Sequence, residues 1–254
     1  MKIGFYNIQG GTGKTTIAIN FAYILSQSIK TVLIDCDFFG GTVSLAFNLE
    51  DAEHNINTYL AGESTIEDII YNYEDLTVIP TGITSDVFQY KFDIEKFNEL
   101  VGFLAEEYEI IIYDLPPNIT EDNIINYSSL YELINFIFLV SDDSIPSIAN
   151  TLRAKELVLD LDIPVEGIII NKSQGLVDLT EISDDVVGIL PYDVNVERQW
   201  TEGKPVVKIK TKFSKEIKKF TEYVVSEYLE KDLASLRALK LAKEIYGNDE
   251  ELEL

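Results

Sequence analysis

The sequence predicts an α/β protein with a doubly wound, mostly parallel sheet of seven strands. Short runs of four to six Val, Ile and Leu residues alternate with longer segments that have helical periodicity. Runs that are apolar on both faces are typical of strands buried between two layers of helices. A chain of 254 residues, 46% of them hydrophobic, is long enough to bury such a sheet.

The expected elements alternate along the chain without a break. Strands are expected near residues 2–7, 31–35, 76–80, 109–113, 135–140, 165–170 and 187–190. Helices are expected near residues 15–28, 93–107, 123–133, 144–160, 213–229 and 232–246. No linker rich in Pro, Gly or Ser divides the chain, and no repeat is visible. We therefore expect one domain over residues 1–229, followed by a C-terminal helix and acidic tail over residues 230–254.

The first strand leads into a glycine-rich turn, Gly10-Gly11-Thr12-Gly13, and then into Lys14, Thr15 and Thr16 at the start of a helix. Glycines let backbone N–H groups converge on an anion because no Cβ blocks the approach. The positive end of the helix dipole lies at the same place. Lys14 can reach the β- and γ-phosphates of a nucleotide, and the Thr15 hydroxyl can bind Mg²⁺. This segment predicts a site for nucleotide phosphates.

Further polar residues follow other predicted strands. Asp35 and Asp37 come after the second strand, Asp114 after the strand 109–113, and Asn171 after the run 168–170. Side chains alternate along a strand, so the two carboxylates at positions 35 and 37 are expected to point the same way. Ligands of doubly wound sheets bind outside the carboxyl ends of the strands. We therefore expect these residues to converge with Lys14.

The order of these motifs resembles that of the ParA/MinD family of P-loop ATPases. The turn keeps Gly-Gly-x-Gly-Lys-Thr-Thr, the core of that family's deviant Walker A motif, although Ile8 occupies the first glycine position of the general P-loop pattern. Segments similar to the family's later motifs follow in the family's order up to about residue 229: Asp35-Cys36-Asp37, Asp114-Leu115-Pro116-Pro117, Ile168–Lys172, Gly188–Asp193 and Glu202–Val207. The resemblance implies a P-loop NTPase fold.

The resemblance also implies roles for individual residues. ATP and Mg²⁺ would be the cofactors, and Lys14 and Asp37 the catalytic residues, with Asp37 orienting the attacking water. Thr15, Asp35 and Asp114 would hold the metal, the two carboxylates through its water shell. The nucleotide-binding residues would be Gln9, Gly10, Gly11, Thr12, Gly13, Lys14, Thr15, Thr16, Asn171, Pro191, Tyr192 and Asp193, with Asn171 at the adenine edge and residues 191–193 at the base.

The largest departure from the family is Gln9. ParA/MinD proteins carry a signature lysine at this position, which reaches the phosphates of the partner subunit in the ATP-bound dimer. A glutamine can donate a hydrogen bond to a phosphate oxygen, but it cannot neutralise its charge. An arginine finger, by analogy, contributes roughly 10³–10⁵ to the rate of phosphoryl transfer. We therefore expect slow hydrolysis, with nucleotide binding less affected.

The expected function is that of a nucleotide-dependent dimeric switch. The protein would bind ATP, hydrolyse it slowly, and position or segregate a partner, which is cell-division or polarity machinery or DNA. ATP would join two copies of the chain, and the dimer would recruit an unidentified protein. Two alternatives stay open: a scaffold that holds ATP with negligible turnover, and an ATP-dependent cofactor-biosynthesis ligase on the same fold.

Charge and cysteine content limit the expected partners. The formal net charge of −24 opposes nonspecific attraction to DNA and to anionic lipid, so DNA binding is expected to be weak or absent. A lysine-rich stretch over residues 204–219 is read as a solvated helix face or a local contact patch. The single cysteine, Cys36, can form neither an internal disulfide nor a four-cysteine metal site.

The C-terminal segment 232–246 has the pattern of an amphipathic helix, and the acidic residues after it would be repelled by anionic headgroups. We expect this helix to pack on the domain or on a partner chain, with membrane binding the less favoured possibility. No signal peptide or membrane-spanning segment is visible in the sequence, so a cytoplasmic location is expected.

Overall fold

The computed structural model describes residues 1–38, 40–82, 93–117, 133–230 and 233–234. These residues form an eight-stranded sheet in the order β3-β4-β2-β5-β1-β6-β7-β8. All neighbouring strands are parallel except β3 and β4. The strands are β1 (Lys2–Tyr6), β2 (Thr31–Asp35), β3 (Tyr71–Tyr73), β4 (Leu76–Ile79), β5 (Ile110–Asp114), β6 (Phe136–Asp142), β7 (Val165–Ser173) and β8 (Val186–Pro191).

The predicted fold class is confirmed, and the strand count is corrected from seven to eight. The seven expected strands correspond to β1, β2 and β4 to β8. The strand that was missed, β3, has three residues and lies antiparallel at one edge of the sheet. It is joined to β4 by a tight turn in which Glu74 has a φ of 54°. A three-residue strand is too short to produce a clear alternation of apolar and polar side chains.

Seven α-helices lie in the described part of the chain. They are α1 (Lys14–Ser26), α2 (Thr42–Ala46), α3 (Ile56–Ala61), α4 (Ile94–Glu107), α5 (Ile145–Leu159), α6 (Asn195–Thr201) and α7 (Lys212–Val224). Short 3₁₀ turns cover Glu67–Ile69, Thr180–Asp185 and Val206–Lys208, and a π turn over Val225–Leu229 continues α7. The helices expected at 15–28, 93–107, 144–160 and 213–229 are confirmed, whereas those at 123–133 and 232–246 fall almost entirely outside the described residues.

Two apolar layers cover the sheet, because successive strand residues point to opposite faces. On one face, Phe5 and Phe138 pack with residues of α1 and α7, including Phe21 and Phe220. The ring of Phe138 lies 5.1 Å from that of Phe220 and 6.0 Å from that of Phe5. On the other face, alternate strand residues such as Ile137 pack against α4 and α5. This sandwich fixes the strand ends from which the functional side chains project.

Candidate functional site

A cavity of about 420 Å³ opens at the carboxyl ends of the strands. Twelve of the residues expected to form the site line it: Gly10, Gly11, Gly13, Lys14, Thr15, Thr16, Asp37, Asp114, Asn171, Pro191, Tyr192 and Asp193. Three expected residues, Gln9, Thr12 and Asp35, do not line it. Eight further residues, which no sequence motif indicated, also line it: Thr42, Leu115, Pro117, Lys172, Val196, Glu197, Trp200 and Phe213.

The glycine-rich turn forms an open cradle at the start of α1. Gly11 and Gly13 have φ angles of 78° and 95°, in the left-handed region that favours glycine. A Cβ on Gly10 or Gly11 would meet nothing within 4 Å, whereas a Cβ on Gly13 would clash with the Asn171 amide. The N-cap of α1 is Gly13, and no side chain caps the helix. The helix start therefore leaves its N–H groups for an anion.

The Lys14 side chain is held inside the cavity. Only 7% of it is exposed, and its Nζ donates a hydrogen bond to the Gln9 carbonyl oxygen at 3.2 Å. Burial lowers the pKa of Lys14, while the carboxylates of Asp114 and Asp37 act in the opposite direction. A buried ammonium has already lost most of its hydration in the folded protein, so it can pair with an anionic ligand at little further desolvation cost.

The Asp114 carboxylate is the clearest unsatisfied group of the site. It lies at the end of β5, is 1% exposed, and neither oxygen has a hydrogen-bond partner among the described residues. The pKa of Asp114 is raised to about 7, chiefly by burial and also by the Asp37 carboxylate, while the neighbouring Thr15 hydroxyl and Lys14 ammonium act in the opposite direction. Buried polar groups are normally paired. An orphaned carboxylate beside a threonine hydroxyl fits a bound divalent cation.

A metal ion at Thr15 and Asp114 would need further ligands from outside the protein. Across the described residues, no group of three or more His, Cys, Asp or Glu side chains is arranged to hold a metal ion. Mg²⁺ is usually bound by one or two carboxylates together with water and substrate phosphates. The pair formed by Thr15 and Asp114 matches that requirement, so the assignment of these two residues to the metal stays a prediction that the geometry fits.

Asp35 and Asp37, whose spacing predicted a common direction, lie in different environments. The strand β2 ends at Asp35, so its alternation does not extend to Asp37. Asp37 lines the cavity, whereas the fully buried Asp35 accepts hydrogen bonds from the Asp37 N–H, the Val43 N–H and the Thr81 hydroxyl. Asp35 therefore organises the loop behind the cavity. Its predicted contact with the metal would have to run through water.

Two consecutive residues of β7 reach the glycine-rich turn. Asn171 is buried, and its Nδ2 donates to the Thr12 carbonyl oxygen at 2.9 Å. The Lys172 Nζ donates to the Gly11 carbonyl oxygen at 2.8 Å. Asn171 was expected at the adenine edge. One of its two amide hydrogens is already used within the protein, so its role toward a base stays a prediction.

The loop after β8 closes the other side of the cavity. Tyr192 is 54% exposed at its mouth, and Trp200 of α6 adds an apolar wall. The Asp193 carboxylate accepts hydrogen bonds from the N–H and the side-chain amide of Asn195 at 2.9 and 2.8 Å. Burial raises the pKa of Asp193, but these hydrogen bonds hold it below its ordinary value. Trp200 is the one tryptophan of the chain, which is a composition signal that could have pointed to this wall.

The Gln9 side chain is held against its own subunit. Its Oε1 accepts a hydrogen bond from Asn150 Nδ2 of α5 at 3.0 Å, and its backbone N–H donates to Asn7 Oδ1 at 2.9 Å. The Asn7 amide in turn donates to Val140 and Thr151. The residue at the signature position is therefore tied to α5 in this structure.

Asp143 holds the loop that follows β7. It is 7% exposed, and its carboxylate accepts the N–H groups of Gln174, Leu176 and Val177 at 2.8, 3.0 and 3.2 Å. Burial raises the pKa of Asp143, but these N–H groups outweigh burial and hold the pKa below its ordinary value. A depressed pKa in the folded state means that ionised Asp143 stabilises the fold.

We expect the Asp143→Asn variant to lower the free energy of unfolding by about 2 kcal/mol at pH 7, because the negative charge and one of the two acceptor oxygens that the loop N–H groups bind are lost. The stabilisation by Asp143 is present above its unfolded pKa of about 3.9 and is lost as pH falls through the lower folded value. Urea unfolding of both proteins at pH 7 and near pH 3 measures this. A gap between variant and wild type that is the same at both pH values would contradict the assignment.

Together, the open turn, the buried lysine and the neighbouring Thr15 and Asp114 form the arrangement expected of a P-loop nucleotide-binding protein. The comparisons with known proteins give the family. A family model described as an AAA domain matches residues 1–141. An ATP-binding protein of Methanocaldococcus jannaschii is 64% identical over 246 residues, covering 96% of this chain and 93% of that protein. The chain belongs to this AAA-domain family of ATP-binding proteins, and its fold is that of the MinD and ParA P-loop ATPases.

Solved structures agree with the fold. The septum site-determining protein MinD of Pyrococcus horikoshii, complexed with Mg-ADP, aligns with a TM-score of 0.77 and 24% identity, covering 88% of this chain and 95% of that one. A plasmid partition protein of Borrelia burgdorferi bound to AMPPNP aligns with a TM-score of 0.75 and 19% identity, covering 89% and 98%. In the described part of the chain, no helix has both the length and the apolar character that a membrane crossing needs.

Proposed function

We propose that this protein is a slowly hydrolysing ATPase that acts as a nucleotide-dependent dimeric switch and positions a partner. The observation that carries the proposal is the preformed cavity in which the open turn Gly10–Gly13 and the buried Lys14 ammonium face the unpartnered Asp114 carboxylate. Its backbone N–H groups and the Lys14 ammonium can bind phosphate, and its unpartnered carboxylate can bind a cation. The ATP-binding relative at 64% identity supports adenosine triphosphate as the nucleotide.

Each side of the cavity has a part in this proposal. The loop N–H groups and Lys14 bind the phosphates, and Tyr192 and Trp200 provide the wall for the base. Thr15 and Asp114 would hold Mg²⁺, which when bound neutralises negative charge on the phosphates. Asp37 lines the cavity and orients the attacking water. A bound nucleotide would displace water from the cavity, which strengthens these electrostatic interactions.

Exposed apolar side chains near the carboxyl ends of the strands support a dimer interface with a second copy of the chain on this side of the sheet. Ile145, Leu176, Tyr192 and Val194 are exposed by 73%, 71%, 54% and 63%; Ile145 begins α5 just after β6, and the other three lie on the loops that follow β7 and β8. Large apolar side chains gathered at one edge of a domain often mark an interaction surface. A two-fold dimer is the commonest closed assembly. We infer that ATP favours the dimer because it binds there better than to the monomer.

Light scattering combined with a phosphate-release assay tests the proposal. We expect a dimer with Mg-ATP, a monomer with Mg-ADP or without nucleotide, and slow release of phosphate. A dimer without any phosphate release would favour the ATP-binding scaffold. Phosphate release that depends on an added small substrate would favour the ligase. A monomer under every condition, together with no nucleotide binding, would refute the proposal.

The Gln9→Lys variant is expected to raise the turnover rate at least about tenfold, which corresponds to about 1.4 kcal/mol of barrier. A cation near the transferred phosphate stabilises the transition state more than the ground state, and Gln9 provides none. Because the Gln9 side chain is also hydrogen-bonded to Asn150, the neutral variant Gln9→Met controls for the loss of that bond. Steady-state rates of the three proteins measure the effect. Equal acceleration by Lys and Met would show that freeing α5, and not charge, sets the rate.

A further inference from the structure

The end of β7 is irregular where it meets the glycine-rich turn. Ile170 pairs with Ile189, and Ser173 pairs with Pro191, so three steps along β7 match two steps along β8. One extra residue is therefore inserted between these pairs, as in a β-bulge. Within it, Lys172 has a φ of 54°, in the left-handed region that a lysine rarely adopts. Strained residues of this kind persist where surrounding contacts hold them, and they concentrate at functional sites.

The irregularity directs two neighbouring side chains at two neighbouring carbonyls. Without it, Asn171 and Lys172 would point to opposite faces of the sheet. With it, Asn171 donates to the Thr12 carbonyl and Lys172 to the Gly11 carbonyl, at 2.9 and 2.8 Å. Gly13 packs so closely on the Asn171 amide that no Cβ would fit between them.

We propose that Asn171 and Lys172 form a clamp that holds the glycine-rich turn in its anion-binding conformation before nucleotide arrives. This inference rests on the proposed function, in which the turn is the phosphate cradle. In a planar trans peptide the C=O and the following N–H point in opposite directions. Fixing the carbonyls of Gly11 and Thr12 toward the clamp therefore fixes the N–H groups of Thr12 and Gly13 away from it. Asn171 and Lys172 are positioning residues in this view.

The clamp matters because the turn is rich in glycine. Glycine loses more conformational freedom on ordering than any other residue, so a free turn of this composition would bind an anion at an entropic cost. Two hydrogen bonds from the folded sheet order the turn before the ligand binds, so less entropy is lost on binding and the affinity is higher. If the turn is competent only part of the time, the apparent affinity falls by the same fraction.

Hydrogen exchange in the nucleotide-free protein tests the clamp without relying on binding. In the Lys172→Met variant, which keeps the length of the side chain but removes the amine, we expect the Gln9 and Ile17 amides, which are hydrogen-bonded at the two ends of the turn, to exchange about tenfold faster than in wild type. Lys172→Arg, which keeps a donor, should restore part of the protection. Lys218→Met is the matched control, because Lys218 is an exposed lysine of α7 and its loss changes the net charge equally.

Binding and turnover of Mg-ATP by the same variants give the second readout. The affinity of Lys172→Met should fall about tenfold, while kcat at saturating ATP stays within about twofold of wild type, as expected for a positioning residue. Unchanged exchange in Lys172→Met would overturn the clamp, and a loss of affinity with unchanged exchange would instead make Lys172 a phosphate contact. A wild-type protein that binds no nucleotide would refute the proposed function, and the exchange rates would still decide on the clamp.

Discussion

Replacing Lys14 with alanine is expected to weaken Mg-ATP binding at least about a hundredfold, or about 2.7 kcal/mol. The reason is the position of the ammonium, which is almost fully buried between the glycine-rich turn and the carboxylates of Asp37 and Asp114. Its removal takes away the buried cation that faces the phosphates. It also leaves two carboxylates without a nearby positive charge, and these repel an anionic ligand.

Titration calorimetry on wild type, Lys14→Ala and the surface control Lys218→Ala measures this effect. Thermal unfolding without nucleotide checks that the variant is folded, since the Lys14 amine contributes one hydrogen bond, to the Gln9 carbonyl. An affinity within threefold of wild type, in a folded variant, would mean that the phosphates bind elsewhere.

The Asp37→Ala variant is expected to turn over ATP at least about a hundredfold more slowly, with affinity retained or improved. Asp37 lines the cavity and is assigned to orient the attacking water, so its loss acts on the reaction step. Its charge also opposes ionisation of Asp35 and Asp114, so truncation relieves repulsion inside the site. The ATP-bound dimer should therefore accumulate, because the reaction that ends it is slowed.

Single-turnover phosphate release and light scattering on the same samples separate these two effects. Asp51→Ala, which removes an exposed carboxylate from a surface turn, is the matched control. Turnover that is unchanged in Asp37→Ala would assign the water to another residue. Slow turnover without accumulation of the dimer would separate hydrolysis from assembly and would argue against the switch.

Periodicity and local motif chemistry predicted the strands that place the site. The runs before Asp114 and Asn171 are short and fully apolar, as buried parallel strands require, and both residues line the cavity. The glycine-rich turn was predictable because its function depends on consecutive residues. In these cases the structure depends on residues that are neighbours in the sequence, so it can be predicted from a short segment.

Features that depend on distant contacts were not predictable in this way. The Asp35 carboxylate accepts hydrogen bonds from Val43 and Thr81, which are distant in the sequence. The alternation of strand side chains, from which Asp35 and Asp37 were predicted to point the same way, ends at Asp35 itself. The aim of Lys172 follows from a change of register between β7 and β8, which no periodicity in either strand encodes. Helix α6, which carries Trp200, has seven residues and is too short for a clear helical pattern.

The uncapped start of α1 has a consequence for the stability of the whole protein. Helices α4, α5 and α7 are capped by the side chains of Asp93, Ser144 and Thr211, but α1 begins at Gly13 with no such cap. A bound phosphate would accept hydrogen bonds from the N–H groups at the start of α1. Nucleotide binding would therefore add to the free energy of unfolding. A ligand at a hundred times its Kd adds about 2.7 kcal/mol to the stability of the native state. The melting temperature of the protein would then rise with the concentration of nucleotide in its surroundings.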